Sequence, residues 1–289
     1  MPAHGRHPTA QILNHNEKLF LIDCGEGTQM QLDRYFIKRS KIEHIFISHL
    51  HGDHIFGLMG LITSYLLLGR KKALHIYSPP SLKQIVEIHN QSSESEMSFP
   101  LVFHELTAAE PTIIFESNLL EVYCFPLEHR ITCYGYFFQE KVKDRKIDKS
   151  KIKKHQLTIN EILKLKAGED IVREAEIIKN KDLTISPTKK RSYTYCTDTI
   201  AIATKYSILA NCDLLYHETT FTKEEIERAK LTFHTTTHQA ATLAKLLNVK
   251  KLLMGHYSAK YRSLDIFEEE AREIFEESYC SVEGETYSI

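Results

Sequence analysis

The most constraining feature of the chain is the stretch Ser-His-Leu-His-Gly-Asp-His at residues 48–54. The residues before it, Ile-Phe-Ile at 45–47, are typical of the end of a buried strand. The stretch therefore predicts a loop with four side chains able to bind a metal: His49, His51, Asp53 and His54. All four cannot comfortably bind one tetrahedral ion. We expect two ions, one on His49 and His51 and the other on Asp53 and His54.

The residue types in this loop also limit the metal. Imidazole and carboxylate ligands without a thiolate favour zinc, manganese or iron in a hydrolytic role. The alternative is a loop that is rich in histidine by chance, in a chain with 16 histidines. The position of the cluster directly after an apolar strand favours a metal site.

The composition excludes several classes of protein. The 289 residues suffice for one large domain or two small ones, and the net charge of -1 gives no overall attraction to nucleic acid or acidic membranes. Six scattered cysteines without a CxxC motif are typical of reduced, buried thiols. The sequence shows no signal peptide and no apolar run long enough to cross a bilayer. We therefore expect a cytoplasmic protein without a membrane partner.

Short apolar runs alternate with amphipathic stretches, a pattern that predicts an α/β fold. Strands are expected at 19–23, 44–48, 74–78, 119–126, 134–139, 193–197, 214–217 and 251–254. Helices are expected at 28–36, 54–68, 81–89, 200–211, 223–231, 237–247 and 264–277. Residues 92–122 are expected to form strand after strand joined by turns. This favours mixed sheets with outer helices over one parallel sheet.

The segment at 140–166 differs from the rest of the chain in its charge. It has ten Lys and Arg residues against four Asp and Glu, and its apolar residues look too sparse to add much to a core. We predict a single domain over residues 1–289 in which this segment is inserted as a protruding basic arm. The alternative is an ordinary solvated helix-loop-helix.

Two metal ions need more ligands than one loop supplies, and strand ends are where a rigid backbone fixes a side chain. His129, Asp198 and His256 each follow a predicted strand. A single histidine at a strand end is more often a structural residue, but the repeated pattern favours ligands. Asp198 is the natural bridge between two ions because a carboxylate has two oxygens.

Motifs along nearly the whole chain resemble those of the metallo-β-lactamase superfamily, and within it the ribonuclease Z family. The matching segments are Leu-Ile-Asp-Cys-Gly-Glu-Gly-Thr-Gln (21–29), His-Leu-His-Gly-Asp-His (49–54), Pro-Leu-Glu-His (126–129) followed by Tyr-Gly-Tyr (134–136), Thr-Asp-Thr (197–199) and Gly-His-Tyr-Ser-Ala-Lys-Tyr-Arg (255–262). Two segments are similar to ribonuclease Z specifically: His-Glu-Thr-Thr-Phe (217–221) and His-Thr-Thr-Thr-His-Gln-Ala-Ala (234–241).

The resemblance implies a metallo-β-lactamase-like αββα sandwich, with two mixed β-sheets, helices on the outer faces and the basic arm. It also implies three ligands for each ion and one shared ligand. These are His49, His51 and His129 on the first ion, Asp53, His54 and His256 on the second, and Asp198 as the bridge.

The resemblance further implies roles around these ligands. Asp23 is a structural acid behind the metal site, and Asp53 also accepts a proton from the attacking water. His234 protonates the leaving group, and Glu218 orients it. On the residues alone, Glu218 is better explained as a helix-capping or surface acid, and His234 as a capping residue before the helix at 237–247. The resemblance is what favours the functional roles.

The implied function is a zinc-dependent endoribonuclease that removes the 3′ trailer from precursor transfer RNA and leaves a 3′-hydroxyl. Two Zn²⁺ ions per subunit are implied, with Mn²⁺ or Fe²⁺ as substitutes. The implied partners are precursor transfer RNA, not DNA, and a second copy in a homodimer whose arm serves the partner's active site. The arm lacks the family's Gly-Pro tip, so only its basic character matches the family. Its candidate RNA contacts are Lys143, Arg145, Lys146, Lys151, Lys153 and Lys154.

Two other functions compete with this one. The first is a metal-dependent hydrolase of small phosphodiesters or thioesters on the same fold, and the second is a non-catalytic RNA-binding relative. The basic arm and the segments at 217–221 and 234–241 argue against the first, and the intact ligand set argues against the second.

The family usually has a strand and a glycine-rich loop before the Arg-His-Pro-Thr-Ala region at 6–10. We therefore expect that this strand is missing or that the natural start lies upstream.

Overall fold

The structure is a computed structural model that describes residues 3–94, 96–142, 144–173, 176–187, 189–201 and 207–289. The helices are α1 (Thr28–Arg34), α2 (Gly52–Leu67), α3 (Ser81–Ser92), α4 (Lys149–Lys154), α5 (Ile159–Ala167), α6 (Asn180–Leu183), α7 (Ile226–Thr232), α8 (Thr237–Leu246) and α9 (Asp265–Arg272). The strands are β1 (Gln11–His15), β2 (Lys18–Ile22), β3 (Ile42–Phe46), β4 (Leu74–Ser78), β5 (Leu101–Glu105), β6 (Thr112–Glu116), β7 (Leu120–Leu127), β8 (Cys133–Glu140), β9 (Lys146–Ile147), β10 (Ile171–Arg173), β11 (Glu176–Ile178), β12 (Thr184–Ile185), β13 (Ser192–Cys196), β14 (Leu214–Glu218), β15 (Lys251–Gly255) and β16 (Ser278–Cys280).

The chain divides into two compact units. The first consists of Met1–Phe115, Val122–Phe138 and Ser192–Ile289, and the second of Glu116–Glu121 and Gln139–Arg191. The predicted arm at 140–166 lies within the second unit, which continues to Arg191.

Two large sheets form the framework. Five strands pair in the order β1-β2-β3-β4-β5, with β1 antiparallel to β2 and the other pairs parallel. Seven strands pair in the order β16-β15-β14-β13-β8-β7-β6, and β13 to β16 run parallel to one another. The mixed sheets confirm the prediction from the alternating apolar runs.

Separate cores lie between the helices and the sheets. Leu58 of α2 packs with Ile45 of β3 in one core, and Ala244 of α8 packs with Leu252 of β15 in another. Between the two sheets lies an aromatic layer, in which the ring of Phe46 stacks on Tyr77 at 4.6 Å and its edge meets other rings. The layers thus follow the predicted order of helices, sheet, sheet and helices.

Helix α2 shows how the sequence pattern holds the metal-capable loop. Its buried residues recur at spacings of three and four, which places one face on the first sheet: Ile55, Leu58, Leu61, Ile62 and Tyr65. The backbone of the 25–28 turn lies against this helix, because a Cβ at Gly57 would be 1.9 Å from the carbonyl oxygen of Gly25. The 48–54 segment, which was expected to be a loop throughout, is a loop only as far as His51, and Asp53 and His54 lie in the first turn of α2. It is therefore fixed between strand β3 and a buried helix.

Some predicted elements differ from the structure. The helix expected at 200–211 falls partly on residues 202–206, which lie outside the described residues, and 207–209 form a single 3-10 turn. The helix expected at 223–231 starts as a 3-10 turn and becomes α-helical only at Ile226. Within the described residues, no helix has both the length and the apolar character needed to span a membrane.

The second unit has a small core of its own. Leu165, Ile171, Ile178 and Leu183 are buried together, with Ile147 and Leu157 packed against them. Helix α5 begins with a capping box, in which Thr158 and Glu161 each bond to the backbone of the other. The expectation that apolar residues of 140–166 are too sparse for a core was therefore wrong, because three of them contribute to this cluster.

Candidate active site

All the predicted metal ligands lie in the first unit. Asp53 and His54 lie in the first turn of helix α2, and most of the others lie just beyond strand ends. His49 follows β3, His129 follows β7, Asp198 follows β13 and His256 directly follows β15. Because β3, β13 and β15 are parallel to their neighbours, their carboxyl ends present side chains at one edge of each sheet. The structure therefore brings residues from distant parts of the chain to one place.

The first group of ligand atoms surrounds one side of Asp198. Nε2 of His49 lies 3.5 Å from Oδ2 of Asp198, and Nε2 of His129 lies 3.8 Å from the same oxygen. Nδ1 of His51 lies 3.0 Å from Nε2 of His49 and 3.3 Å from Nε2 of His129. One ligand atom from each of these four residues lies within 4.8 Å of the others, so the four can hold one ion.

The second group surrounds the other oxygen of Asp198. Nε2 of His256 lies 3.1 Å and Nε2 of His54 lies 3.4 Å from Oδ1 of Asp198. Oδ2 of Asp53 lies 3.7 Å from His256 and 3.8 Å from His54. Asp53, His54 and His256 form a second group with ligand atoms within 4.8 Å. Each oxygen of Asp198 thus faces a different group, which is the arrangement that a bridging carboxylate requires.

The donor set fits a metal better than it fits a hydrogen-bond network. Nε2 of His54 is buried and makes no hydrogen bond among the described residues. Buried polar atoms without a partner are uncommon, because leaving one unpaired costs about 1–3 kcal/mol. A cation between His54, Asp53 and Asp198 would supply the missing partner.

The ionisation of the ligands also suits a cation. Burial lowers the pKa of His49 to about 2 and also lowers the pKa of His129, so both imidazoles are neutral. Burial raises the pKa of Asp198, but the charges of His256 and His54 outweigh it and hold this pKa well below its usual value. The neutral imidazoles of His49 and His129 and the ionised carboxylate of Asp198 are already in the forms that bind a metal. Despite their burial, the charge of Asp198 raises the pKa of His54 and of His256, so these two imidazoles would release a proton when a cation binds.

Asp23 holds the loop from behind. Its carboxylate accepts hydrogen bonds from the backbone N–H and Oγ of Ser48, at 2.7 and 2.8 Å, and lies 2.8 Å from Nδ1 of His54. The Tyr195 hydroxyl donates a further bond of 2.7 Å. An imidazole that donates through Nδ1 to a carboxylate presents Nε2 to the metal, so Asp23 fixes the orientation of His54.

Other ligands have a similar support. Nδ1 of His129 lies 3.3 Å from the carbonyl oxygen of Phe233, and Nδ1 of His256 lies 3.0 Å from Oγ1 of Thr220. Neither Phe233, Thr220 nor Tyr195 was identified from the sequence as a site residue. A tyrosine in an apolar strand and a threonine after a strand carry no signal of their own that distinguishes support of a ligand from ordinary packing.

The backbone at the site is unusual. Asp23, Asp198 and His256 have φ angles of 56°, 30° and 60°, in the left-handed region that favours glycine. Such conformations cost about 1–3 kcal/mol each and persist where the surrounding structure imposes them. Here Asp198 and His256 place their side chains in the ligand groups, and Asp23 places its carboxylate behind His54.

Glu218 and His234 form a pair beside these groups. Glu218 is fully buried, and its Oε1 lies 2.9 Å from Nδ1 of His234. The same carboxylate accepts bonds from the backbone N–H groups of Thr199, Thr220 and Thr235. Burial raises the pKa of Glu218, but the hydrogen bond and the charge of His234 lower it overall. The glutamate is therefore a fixed anion that can stabilise a protonated His234.

The imidazole of His234 stacks on that of His256 with ring centroids 5.4 Å apart. Because Nδ1 faces Glu218, Nε2 is the atom left to act on a substrate. His234 also lies close enough to Asp198 and His256 to form a third group of potential metal ligands. His234 is therefore placed to act either as a proton donor or as a metal ligand.

The candidate RNA contacts in the second unit fall into two groups. Arg145 donates to the Thr184 hydroxyl at 2.7 Å, and Lys151 donates to the Asp182 carbonyl at 2.8 Å. Lys146, Lys153 and Lys154 are exposed. Lys143 lies outside the described residues.

Comparison with known proteins gives two kinds of match. A family model described as Anti-Pycsar protein Apyc1 matches residues 4–165. This part contains the 48–54 loop and His129, but it stops before Asp198, the Glu218–His234 pair and His256.

Matches to named relatives cover nearly the full length. The chain is 42% identical to ribonuclease Z of Cytophaga hutchinsonii over 290 residues, spanning 100% of this chain and 92% of the relative. It is 39% identical to ribonuclease Z of Bacteroides fragilis, spanning 100% of this chain and 95% of the relative. Among solved structures, the short form of human tRNase Z is similar with a TM-score of 0.70 and 25% identity, covering 98% of this chain and 93% of that one. The chain therefore belongs to the ribonuclease Z family.

Proposed function

We propose that the protein is an endoribonuclease that removes the 3′ trailer from precursor transfer RNA. The ribonuclease Z relatives support this over nearly the whole chain. The observation that carries the proposal is the buried Glu218 held against His234, beside the ligand groups. A proton donor in this position suits a poor leaving group such as a ribose 3′ oxygen.

The proposed cofactor is a pair of divalent ions. Imidazole and carboxylate ligands accept zinc, manganese or iron, and the resemblance to ribonuclease Z is what selects zinc among them. His49, His51 and His129 would hold one ion, Asp53, His54 and His256 the other, and Asp198 both. When bound, such ions lower the pKa of a water molecule and neutralise charge that develops on the phosphate.

The protein's own residues then move two protons. The oxygen of water forms a bond to phosphorus, and the bond from phosphorus to the ribose 3′ oxygen breaks. Asp53, whose side chain is 35% exposed, accepts the proton of the water. His234 donates a proton from Nε2 to the 3′ oxygen, and Glu218 stabilises the charged imidazole that precedes this transfer. The products are a transfer RNA with a 3′-hydroxyl and a trailer with a 5′ phosphate.

A hydrolase of small phosphodiesters is the second candidate function. The two groups of potential metal ligands suit this chemistry as well as RNA cleavage. The Apyc1 family model matches residues 4–165 and ends before Asp198. The Glu218–His234 pair lies beyond that match and favours RNA, because small esters with acidic leaving groups need no proton donor.

The proposal predicts that the chain cuts precursor transfer RNA once, at the 3′ end of the mature sequence. A bis-nitrophenyl phosphodiester should be hydrolysed with a kcat/KM at least about 10³-fold lower, because it lacks the binding energy of the RNA body. Gel mapping of the RNA product and absorbance of nitrophenolate measure the two reactions. Hydrolysis of the small ester without cleavage of any precursor would instead support the second candidate function.

We also propose that the second unit binds RNA through the exposed side chains of Lys146, Lys153 and Lys154. Arg145 and Lys151 are committed to bonds within that unit. Deleting the segment at 140–166 would remove part of the core around Leu165. Replacing exposed lysines, which leaves this core intact, is the sharper test.

Replacing Lys153 and Lys154 with alanine should weaken transfer RNA binding. The slope of log affinity against log salt should fall by roughly 0.7–0.9 for each phosphate group that the variant no longer neutralises. Binding measured from low to moderate salt gives this slope, and hydrolysis of the small ester should stay unchanged. The matched control is Lys245→Ala with Lys251→Ala, two exposed lysines of the first unit. An unchanged slope in the Lys153 and Lys154 variant would show that this surface is only solvated.

A homodimer is proposed as the assembly. Large apolar side chains of α1, α2 and the residues after these helices are exposed, among them Met30, Phe36, Phe56, Leu67 and Leu68. Helices α1 and α2 contact each other, and exposed apolar side chains on neighbouring elements often mark an interface. The cytoplasm is the proposed location, since all six cysteines are free and buried, as suits a reducing compartment.

A further inference from the structure

A second concave surface lies in the first unit, away from the ligand groups. This cavity has a volume of about 590 Å³ and is lined by residues around the amino-terminal ends of β2, β3 and β4. The ligand loop follows the opposite end of β3. Seven residues separate Ile42 from His49, which corresponds to roughly 20 Å of extended chain. The cavity therefore cannot belong to the active site.

The lining of the cavity is strongly cationic. It includes six Lys or Arg residues and two Glu residues, a formal charge of about +4, although the whole chain has a net charge of -1. Three of the cations have carboxylate partners, Lys41 with Glu17, Lys72 with Glu43 and Arg39 with Asp33.

The other three cations are Lys18, Arg70 and Lys71. None of them has a carboxylate within ion-pair distance among the residues that the structure describes. Glu43 acts on Arg70 only from beyond ion-pair distance and is itself paired with Lys72. The three cations therefore repel one another, and an anion in the cavity would be stabilised by all three.

Arg70 is held in place before any ligand arrives. Its guanidinium lies 4.6 Å from the ring centroid of Tyr65 and 5.6 Å from that of Phe99. It donates bonds of 2.8 and 2.9 Å to the carbonyl oxygens of Lys72 and Ala73. An arginine fixed by rings and carbonyls keeps its charge free for an anion and loses little entropy on binding.

The walls of the cavity also contain rings. Tyr65, His44 and Phe115 line it, and His44 packs against Phe115 with centroids 4.6 Å apart. Burial lowers the pKa of His44 to about 4, so this imidazole is neutral at physiological pH. Neutral rings beside fixed cations suit a ligand that combines a planar ring with an anionic group.

We propose that this cavity binds a small phosphorylated ligand with a planar ring, of the nucleoside monophosphate class. Its volume lies in the range of small-ligand sites, which runs from about 300 to 1,000 Å³. The phosphate would lie against Arg70, Lys18 and Lys71, and the base would lie against the ring-lined wall. An extended RNA strand is the less favoured occupant, because the three cations without an ion-pair partner line a single cavity whose volume is that of a small-ligand site.

Calorimetric titration of the full chain with adenosine 5′-monophosphate tests the proposal. Adenosine and inorganic phosphate, each holding half of the recognised chemistry, should bind at least about tenfold more weakly. Lys18→Glu with Lys71→Glu should lower the affinity for the nucleotide at least about tenfold, because it reverses two of the three unpaired charges. The variant Lys245→Glu with Lys251→Glu changes the net charge equally elsewhere and should bind as the parent protein does.

Hydrolysis of the small phosphodiester should be unchanged in both variants, which separates this cavity from the active site. A melting curve shows whether the Lys18→Glu with Lys71→Glu variant folds. If it does not, Lys18→Ala with Lys71→Ala replaces it, and this variant should also bind the nucleotide more weakly than the parent protein. Equal affinity of the Lys18 and Lys71 variant and the parent overturns the proposal. So does an equal loss in both charge variants, or a loss of transfer RNA affinity without any nucleotide binding.

Discussion

Asp198→Ala is expected to leave the protein without a stable pair of metal ions and to lower RNA cleavage by at least about 10³-fold. The two oxygens of this carboxylate face different ligand groups, Oδ2 towards His49 and His129 and Oδ1 towards His54 and His256. Paired ions contribute several kcal/mol to the stabilisation of a phosphoryl transition state, and each 1.4 kcal/mol corresponds to about tenfold in rate.

Metal content per chain after dialysis measures this effect directly. Asp198→Asn keeps the size of the side chain but has one acceptor oxygen and no charge, and it should retain less metal than the parent protein. Asp33→Ala, which removes an exposed carboxylate that pairs with Arg39, is the matched control and should bind metal normally. Two tightly held ions in Asp198→Ala would contradict the bridging role. If Asp198→Ala kept both ions while His129→Ala lost one of them, the two ions would be held independently of Asp198.

The parts of the site that the sequence predicts are those encoded locally. Four potential ligands lie within residues 49–54, and the buried spacing of α2 predicts the helix that holds them. His129, Asp198 and His256 could be proposed because each follows an apolar strand, and the carboxyl ends of parallel strands meet at one edge. The assignment of ligands to ions still depends on the family resemblance.

The supporting hydrogen bonds are the part that the sequence does not predict. Tyr195 and Asp23 are 172 positions apart in the chain, yet their side chains meet at 2.7 Å. Asp23 is also in the left-handed region, for which no local signal is present. Such contacts depend on the register between two sheets, and periodicity within a strand does not report that register.

The second unit was the hardest part to predict for a similar reason. Its strands have only two or three residues each, too short to show an alternation of apolar and polar side chains. Its core combines three apolar residues from within the charged run at 140–166, Ile147, Leu157 and Leu165, with three from beyond it, Ile171, Ile178 and Leu183. The excess of Lys and Arg marks the segment as different from the rest of the chain. It does not show that its few apolar residues pack together with residues beyond the segment.

His234→Ala should slow cleavage of precursor transfer RNA by about 10²–10⁴-fold, the usual loss when a general acid is removed. The structure supports this because Glu218 holds Nδ1 of His234 at 2.9 Å and leaves Nε2 for the leaving oxygen. The defect should be much smaller for a nitrophenyl phosphodiester, whose leaving group needs no proton. Glu218→Gln should give a loss on RNA of the same kind but smaller, because it removes the charge that stabilises the imidazolium.

Single-turnover rates on both substrates, together with metal content, separate the two roles that the geometry allows for His234. A proton donor predicts full metal content and a loss on RNA alone. A metal ligand grouped with Asp198 and His256 predicts reduced metal content and equal losses on both substrates. His238→Ala is the matched control, since this histidine is partly exposed on α8 and contacts Glu273 instead of the site, and its rates should match the parent. Equal losses in His234→Ala, with or without a loss of metal, would exclude the proton-donor role and leave Glu218 as a structural anchor.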